Sequence, residues 1–227
     1  MHSAAQRVCE VRDLGRVPYR ESVRLQKDLV ERRKANAIPD QLLFVEHPHV
    51  ITLGRNAREA NILATPAVLS RAGVDVVETD RGGDVTYHGP GQIVGYPILD
   101  LKAWKRDVGA YLRAIEQVLI DALADFGIAA GREQGMTGVW VQGRKVAAIG
   151  VHLSRWVTSH GFALNVDTDL DYFRYIVPCG LTRPVGAIRE FGCEAGYGNI
   201  QAAIVARFAE VFDFNIVKPQ TLRERIA

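Results

Sequence analysis

Of the three cysteines, Cys179 stands apart because it lies between Pro178 and Gly180. Proline fixes the backbone on entry, glycine removes bulk beside the sulfur, and the N–H groups that follow can turn toward a substrate oxygen. That setting suits a nucleophile. Cys9 sits in a strand-like run with Val8 and Val11, and Cys193 follows a glycine without a proline; both read as packing residues. A thiol attacks near neutral pH when a nearby cation stabilises its thiolate. Lys145, His88, His152 and His160 are the candidates for that cation. Lys145 opens the apolar run Val146-Ala147-Ala148-Ile149-Gly150-Val151, a position where lysine is ordinarily a solvent-facing strand end. Residue type alone does not choose among the four.

A second chemical stretch is Arg81-Gly82-Gly83-Asp84-Val85-Thr86-Tyr87-His88-Gly89-Pro90-Gly91-Gln92. Four glycines and a proline in this span predict no helix and little regular strand. Glycines also let a main chain approach a ligand closely and present its N–H groups. No Gly-Lys-Ser/Thr follows, which excludes a P-loop, and the glycine spacing does not fit the dinucleotide fingerprint. His47-Pro48-His49 has no Cys, Asp or Glu at ligand spacing, so no metal site is expected.

These groups must be carried by regular elements. Arg7 to Leu14 reads as a strand and Pro18 to about Ala37 as a helix with proline in its first turn. Gln41–Glu46 is too apolar for a half-exposed strand and belongs in the centre of a sheet. Val50–Leu53, Val74–Thr79 and Gln92–Leu99 are further strands, the last two flanking the glycine-rich loop. Thr65 to Ala72 is a short helix capped by Thr65, with Pro66 in its first turn. The clearest helix is Asp107 to Phe126, with an apolar stripe, an N-capping Asp107 and Gly127 at the left-handed exit. Gly138–Gln142 and Lys145–Val151 form a hairpin about Gln142-Gly143-Arg144, and Gly161–Val166 is another strand. Asp169 to Tyr175 is a helical turn, Asn199 to Phe212 an amphipathic helix, and the chain from Asn215 a polar tail. No linker or repeat divides the chain. The expectation is one α/β domain over residues 1–227, a mixed β-sheet flanked by helices.

With 28 basic and 26 acidic residues the net charge is +2, which points to neither nucleic acid nor a membrane surface. An odd number of cysteines without a CxxC pair suits a reducing compartment. No secretory leader or bilayer-length apolar run is read, so a cytoplasmic location is expected.

The stretch Arg81–Gln92, followed by Tyr96-Pro97, resembles the signature of the lipoyl(octanoyl) transferase family of lipoate biosynthesis. Arg144-Lys145-Val146-Ala147-Ala148-Ile149-Gly150, His160-Gly161-Phe162-Ala163-Leu164-Asn165 and Pro178-Cys179-Gly180 also resemble that family's motifs. The resemblance is strongest from about 43 to 181. It implies a fold like the catalytic domain of biotin and lipoate protein ligases, and a catalytic dyad of Cys179 and Lys145. It also implies that Arg81–His88, Ala148-Ile149-Gly150 and Gly161-Phe162-Ala163 form three walls of an acyl pocket.

By the same resemblance the donor is octanoyl-acyl-carrier-protein. The acceptors are lysines on lipoyl domains of 2-oxoacid dehydrogenase complexes and on the glycine-cleavage H protein. No cofactor is implied. Three other readings remain open at this point. One is an ATP-dependent lipoate or biotin ligase, which has no need of Cys179. Another is a non-catalytic module binding acyl groups or carriers. The third is a cysteine hydrolase, weaker because no Cys–His pair is recognisable.

Overall fold

A computed structural model describes residues 7–177 and 183–218, so Cys179 lies outside the described residues. In chain order the regular elements are β1 (Arg7–Arg16), α1 (Tyr19–Lys34), β2 (Asp40–Glu46), β3 (Val50–Leu53) and α2 (Pro66–Arg71). Then come β4 (Asp75–Glu78), β5 (Val85–His88), β6 (Gln92–Ile98), α3 (Val108–Ala124) and β7 (Gly131–Glu133). The series ends with β8 (Met136–Val141), β9 (Arg144–Ser154), β10 (Val157–Asn165), α4 (Tyr197–Phe212) and β11 (Phe214–Val217).

Among the described residues the strands form an eight-stranded sheet, β11-β1-β2-β6-β10-β9-β8-β7, and a separate three-stranded sheet, β4-β3-β5. The large sheet is mixed: β1 runs parallel to β11 and β2, while the pairs from β2 through β7 are antiparallel. Strand β2 lies inside it, as its apolar run requires. Leu42 and Phe44 face the core under α3 and α4, and Leu43 and Val45 face α1. That period-two division is what a strand covered on both faces produces.

Local signals set the helix ends. Asp107 caps α3 by accepting the Ala110 N–H at 2.9 Å, and Thr65 caps α2 through Val68. The β8–β9 hairpin turns through Gln142 and Gly143, both at positive φ, and the β9–β10 hairpin through Arg155 and Trp156 in the same way.

Three expectations change. Residues Val85–His88, inside the glycine-rich stretch, are a strand antiparallel to β3. Val, Thr and Tyr favour extended backbone, and the flanking glycines only bound the strand. The supposed polar tail forms β11, where Phe214 packs on Phe208 and the backbone pairs with β1. Alternation was too short there to read. The strands around the loop also do not all join one sheet: β3, β4 and β5 pair only with each other.

The ring of Phe162 lies against Gly95 on the neighbouring strand, and any Cβ at Gly95 would overlap it. Gly95→Ala should therefore cost about 1–3 kcal/mol by overpacking. The urea midpoint would fall with an unchanged m-value. An unaltered midpoint would show that the ring moves aside freely.

Candidate active site

The turn preceding β5 is held by main-chain contacts between the two sheets. The Gly82 N–H donates to the Val151 carbonyl on β9 at 2.9 Å. A Cβ on Gly150 would stand 2.8 Å from the Gly82 carbonyl oxygen, so only glycine allows this approach. From the other side Gly54, Arg55 and Asn56 donate their N–H groups to the carbonyls of Asp84, Arg81 and Gly83. Arg81 is buried and acts as an internal clip. Its guanidinium donates to the Thr52 hydroxyl and carbonyl, to the Asp84 carbonyl and to the Gly82 carbonyl, at 2.7 to 3.0 Å.

Beneath this turn a cavity opens on the sheet face that carries Val94 and Tyr96. Arg81, Gly82, Gly83, Thr86 and His88 line one side, and Ala148, Ile149 and Gly150 another. Gly161, Phe162 and Ala163 form the third, with Lys145 also in the wall. A second hollow shares Thr86, Lys145, Ala148 and Ala163 and continues toward Trp140, Phe173 and Arg183.

Strand alternation sorts the signature residues. Thr86 and His88 face the cavity, while Val85 and Tyr87 are buried in the core of the small sheet with Ile51, Leu69 and Phe173. Asp84 does not line the cavity. Its carboxylate accepts from the Arg58 and Val85 N–H groups at 3.2 and 2.8 Å and from the Asn61 amide at 2.5 Å. Phe162 lines the cavity, yet its ring belongs to the core under α3 and α4, edge-on to Phe44.

Lys145 reaches the cavity through a bulge. Val139 pairs with Ala147 but Trp140 pairs with Lys145, so β9 carries one extra residue here. Val146 and Ala147 consequently both point into the core under α3 and α4, and Lys145 and Ala148 both line the cavity. The lysine Nζ lies 5.5 Å from the centre of the Trp140 ring. Its alkyl chain runs over Gly138, where a Cβ would stand 2.5 Å from Cε.

Val177, Pro184 and Gly186 are each held by main-chain hydrogen bonds. Val177 N–H donates to the Asn61 carbonyl at 2.8 Å. Lys145 N–H donates to the Pro184 carbonyl at 2.9 Å, and Gly186 N–H to the Lys145 carbonyl at 3.0 Å. The main chain at Pro184 and Gly186 therefore pairs with Lys145 itself.

Three cavity residues have no role assigned from the sequence, Tyr19, Val94 and Tyr96, and His160, one of the four candidate cations, also lines the cavity. Tyr96 stands within a family-like motif, which is the signal that could have marked it. Tyr19 reads only as one more apolar helix residue. His160 sits at φ 56° and bonds Asp80 at 2.8 Å, with its N–H received by Gln26. That contact, with burial opposing and His152 adding attraction at 3.7 Å, holds the Asp80 carboxyl well below the usual range. The contact with His160 thus anchors Asp80, the residue next to Arg81.

His88 stacks on Tyr19 and its Nδ1 lies 2.7 Å from Gln92 Oε1. Because the Gln92 amide donates to Tyr87 and Asn165, its oxygen must accept, which places the proton on His88 Nδ1. Burial, aided by nearby His47, lowers the His88 pKa to about 3. His47, bonded to the Val17 carbonyl and the Tyr96 hydroxyl, is lowered by burial to about 4. His49 instead bonds Tyr87, so the two histidines of His47-Pro48-His49 serve different contacts. No grouping of His, Cys, Asp and Glu among the described residues has metal-holding geometry. Cys9 and Cys193 are buried in the core, and burial raises the Cys9 thiol pKa. Among the described residues no helix is long and apolar enough to cross a membrane.

The fold of a mixed sheet flanked by helices is shared with lipoate and biotin protein ligases. A lipoate protein ligase described as putative from T. acidophilum, with bound lipoic acid, superposes with a TM-score of 0.77 at 16% identity, covering 96% of this chain and 91% of its own. Biotin protein ligase from Aquifex aeolicus gives 0.51 at 12%, with 90% and 68% covered. The lipoyl protein ligase A/B catalytic domain family matches residues 18–209. The octanoyltransferase of Solibacter usitatus is 57% identical over 216 residues, 95% of this chain and 98% of that one. That of Gloeobacter violaceus is 50% identical over 205 residues, 90% of each. The chain belongs to this family, among its octanoyltransferases, and is an acyltransferase of protein lipoylation.

The lowered histidine pKa values have a pH consequence. Below the ordinary value of 6.5 the unfolded chain takes up protons that folded His47 and His88 refuse. Stability is therefore full above that pH and falls on acidification toward about 4 and 3. Both imidazoles should keep neutral-ring NMR shifts down to about pH 5. Titration of either ring near its ordinary value would contradict the burial described.

Proposed function

We propose that the protein moves an octanoyl group from octanoyl-acyl-carrier-protein to a lysine amine of a lipoyl domain, through a thioester on Cys179. The carrying observation is that Lys145 and three glycine-containing segments share one cavity on one sheet face. The relatives' common name supplies the octanoyl group. Small residues leave room for an alkyl chain, and burying an eight-carbon tail at about 0.8 kcal/mol per methylene contributes about 5 kcal/mol. The single domain over residues 1–227 holds the whole reaction.

In the first half-reaction the Cys179 thiolate attacks the donor carbonyl carbon. The carbon–sulfur bond to the carrier breaks, and the departing thiolate takes a proton from the Lys145 ammonium. The products are an acyl-enzyme thioester, a free carrier thiol and neutral Lys145. In the second half the incoming lysine amine attacks that thioester and Lys145 accepts its proton. An amide forms and the Cys179 thiolate is regenerated beside a protonated Lys145. Thioester exchange is nearly balanced and amide formation is downhill, so no ATP enters the balance.

Burial holds His88 neutral, which suits a hydrogen-bonding group in the wall, and the activating cation of this reading is Lys145. Asp84, Val85 and Tyr87 serve the pocket by supporting the residues between them. The glycine-cleavage H protein is a second acceptor of the same chemistry, and the reaction belongs to the cytoplasm.

Intact mass after mixing with octanoyl-carrier protein should show one added octanoyl group, mapping to Cys179. A label on Cys193, or no adduct during turnover, would refute the intermediate. Cys179→Ala should abolish transfer. Lys145→Ala should slow acyl loading at pH 7, and raising the pH should restore loading more than it restores transfer to the acceptor. Identical alkylation profiles of Cys179 in the two proteins would remove Lys145 from the role.

A further inference from the structure

Helix α3 packs an apolar stripe against the sheet, Tyr111, Ile115, Val118, Leu119 and Leu123, and in its midst stands Glu116, fully buried. A buried carboxylate carries a large desolvation cost unless it is paired and hydrogen-bonded. Glu116 Oε2 accepts from Arg113 at 2.5 Å and from Arg132 Nε at 2.9 Å. Arg132 is itself fixed by the Arg113 carbonyl and the Gln117 amide, both at 2.9 Å. These contacts leave Oε1 in a set place, where it accepts the N–H of Gly138 at 2.9 Å.

Gly138 is the floor under Lys145. Its φ of 136° lies where side chains are rarely tolerated. Any Cβ would stand 2.5 Å from Lys145 Cε and 3.2 Å from Nζ. The β7–β8 register is irregular between Gly131 and Glu133, and this N–H is taken by the helix carboxylate. One step along, the β8–β9 bulge turns Lys145 to the cavity face with Trp140 beside its ammonium. We infer that Glu116 is a positioning residue for the reaction, setting where the Lys145 ammonium stands by holding Gly138 against it from the far side of the sheet. The inference rests on the proton-transfer role given to Lys145 above. Glu116 touches neither substrate nor reacting atoms.

The competing view is that Glu116 only satisfies a buried N–H and supports the fold. Two measurements separate them. Reductive methylation with labelled formaldehyde gives a dimethyl-lysine carbon resonance for Lys145, assigned by its loss in Lys145→Arg. In the wild type the Trp140 ring should displace it from the shift of an exposed lysine. In Glu116→Ala that displacement should collapse. Kinetics on the unmethylated variant should show kcat lowered about 100-fold, as for a misplaced catalytic group. The donor KM should stay within about twofold, because the acyl walls are untouched. If Glu116→Ala does not fold, the same readings are taken on Glu116→Asp, which keeps both arginine partners but withdraws the carboxylate from Gly138.

An unchanged Lys145 resonance in a folded variant overturns the inference whatever happens to kcat, and so does an unchanged kcat. Should Lys145→Ala transfer at the wild-type rate, the role of Lys145 fails instead. The resonance would then still report whether Glu116 places its ammonium.

Discussion

The cavity depends on one backbone-to-backbone contact, the Gly82 N–H against the Val151 carbonyl. It joins the small sheet to the large one without an intervening side chain. Gly150 below and Gly54 behind leave no room for a Cβ, so the turn rests directly on the strands. Hydrogen bonds of this kind contribute only about 1 kcal/mol each, yet a buried N–H left unmade would cost more. The turn is therefore held in place as much by what its loss would expose as by what its bonds contribute.

Polar groups around the cavity are largely committed to structure. Arg81 turns its donors inward onto Thr52 and main-chain carbonyls, and Asp80 is tied to His160. His47 and His88 stay neutral because an imidazolium could not be solvated where they lie. Such a lining suits an alkyl chain better than a triphosphate. The solved structures of similar fold include a lipoate protein ligase bound with ATP, so the fold by itself does not choose between adenylate and thioester chemistry. The octanoyltransferase relatives place this chain among the acyltransferases of the family.

Placement of Lys145 shows how far a strand irregularity can reach. One extra residue in β9 exchanges the faces of everything before it. An unbulged strand would put Lys145 on the same side as Ala147 and Ile149, under α3 and α4, where an ammonium could not be solvated. The hydrogen bond from Gly138 to Glu116 lies next to that bulge, which links a helix on one face to a lysine on the other.

Much was legible in the chain itself. The stripe and caps of α3, the double-sided apolar run of β2 and the positive-φ turn at Gly143 are local signals, and local energetics enforce them. The motifs Arg81–Gln92, Arg144–Gly150 and His160–Asn165 were identifiable because their residue types are unusual in combination. What the sequence could not decide was direction. Whether Asp84 faces a ligand or Asn61, and whether Phe162 offers its ring or turns it into the core, depends on strand partners distant in the chain. The same is true of β11, whose short run becomes a strand only because β1 has an open edge beside it. Side-chain type is a property of the residue. The face it occupies is set by register, and register is a contact between segments that meet only when the chain is folded.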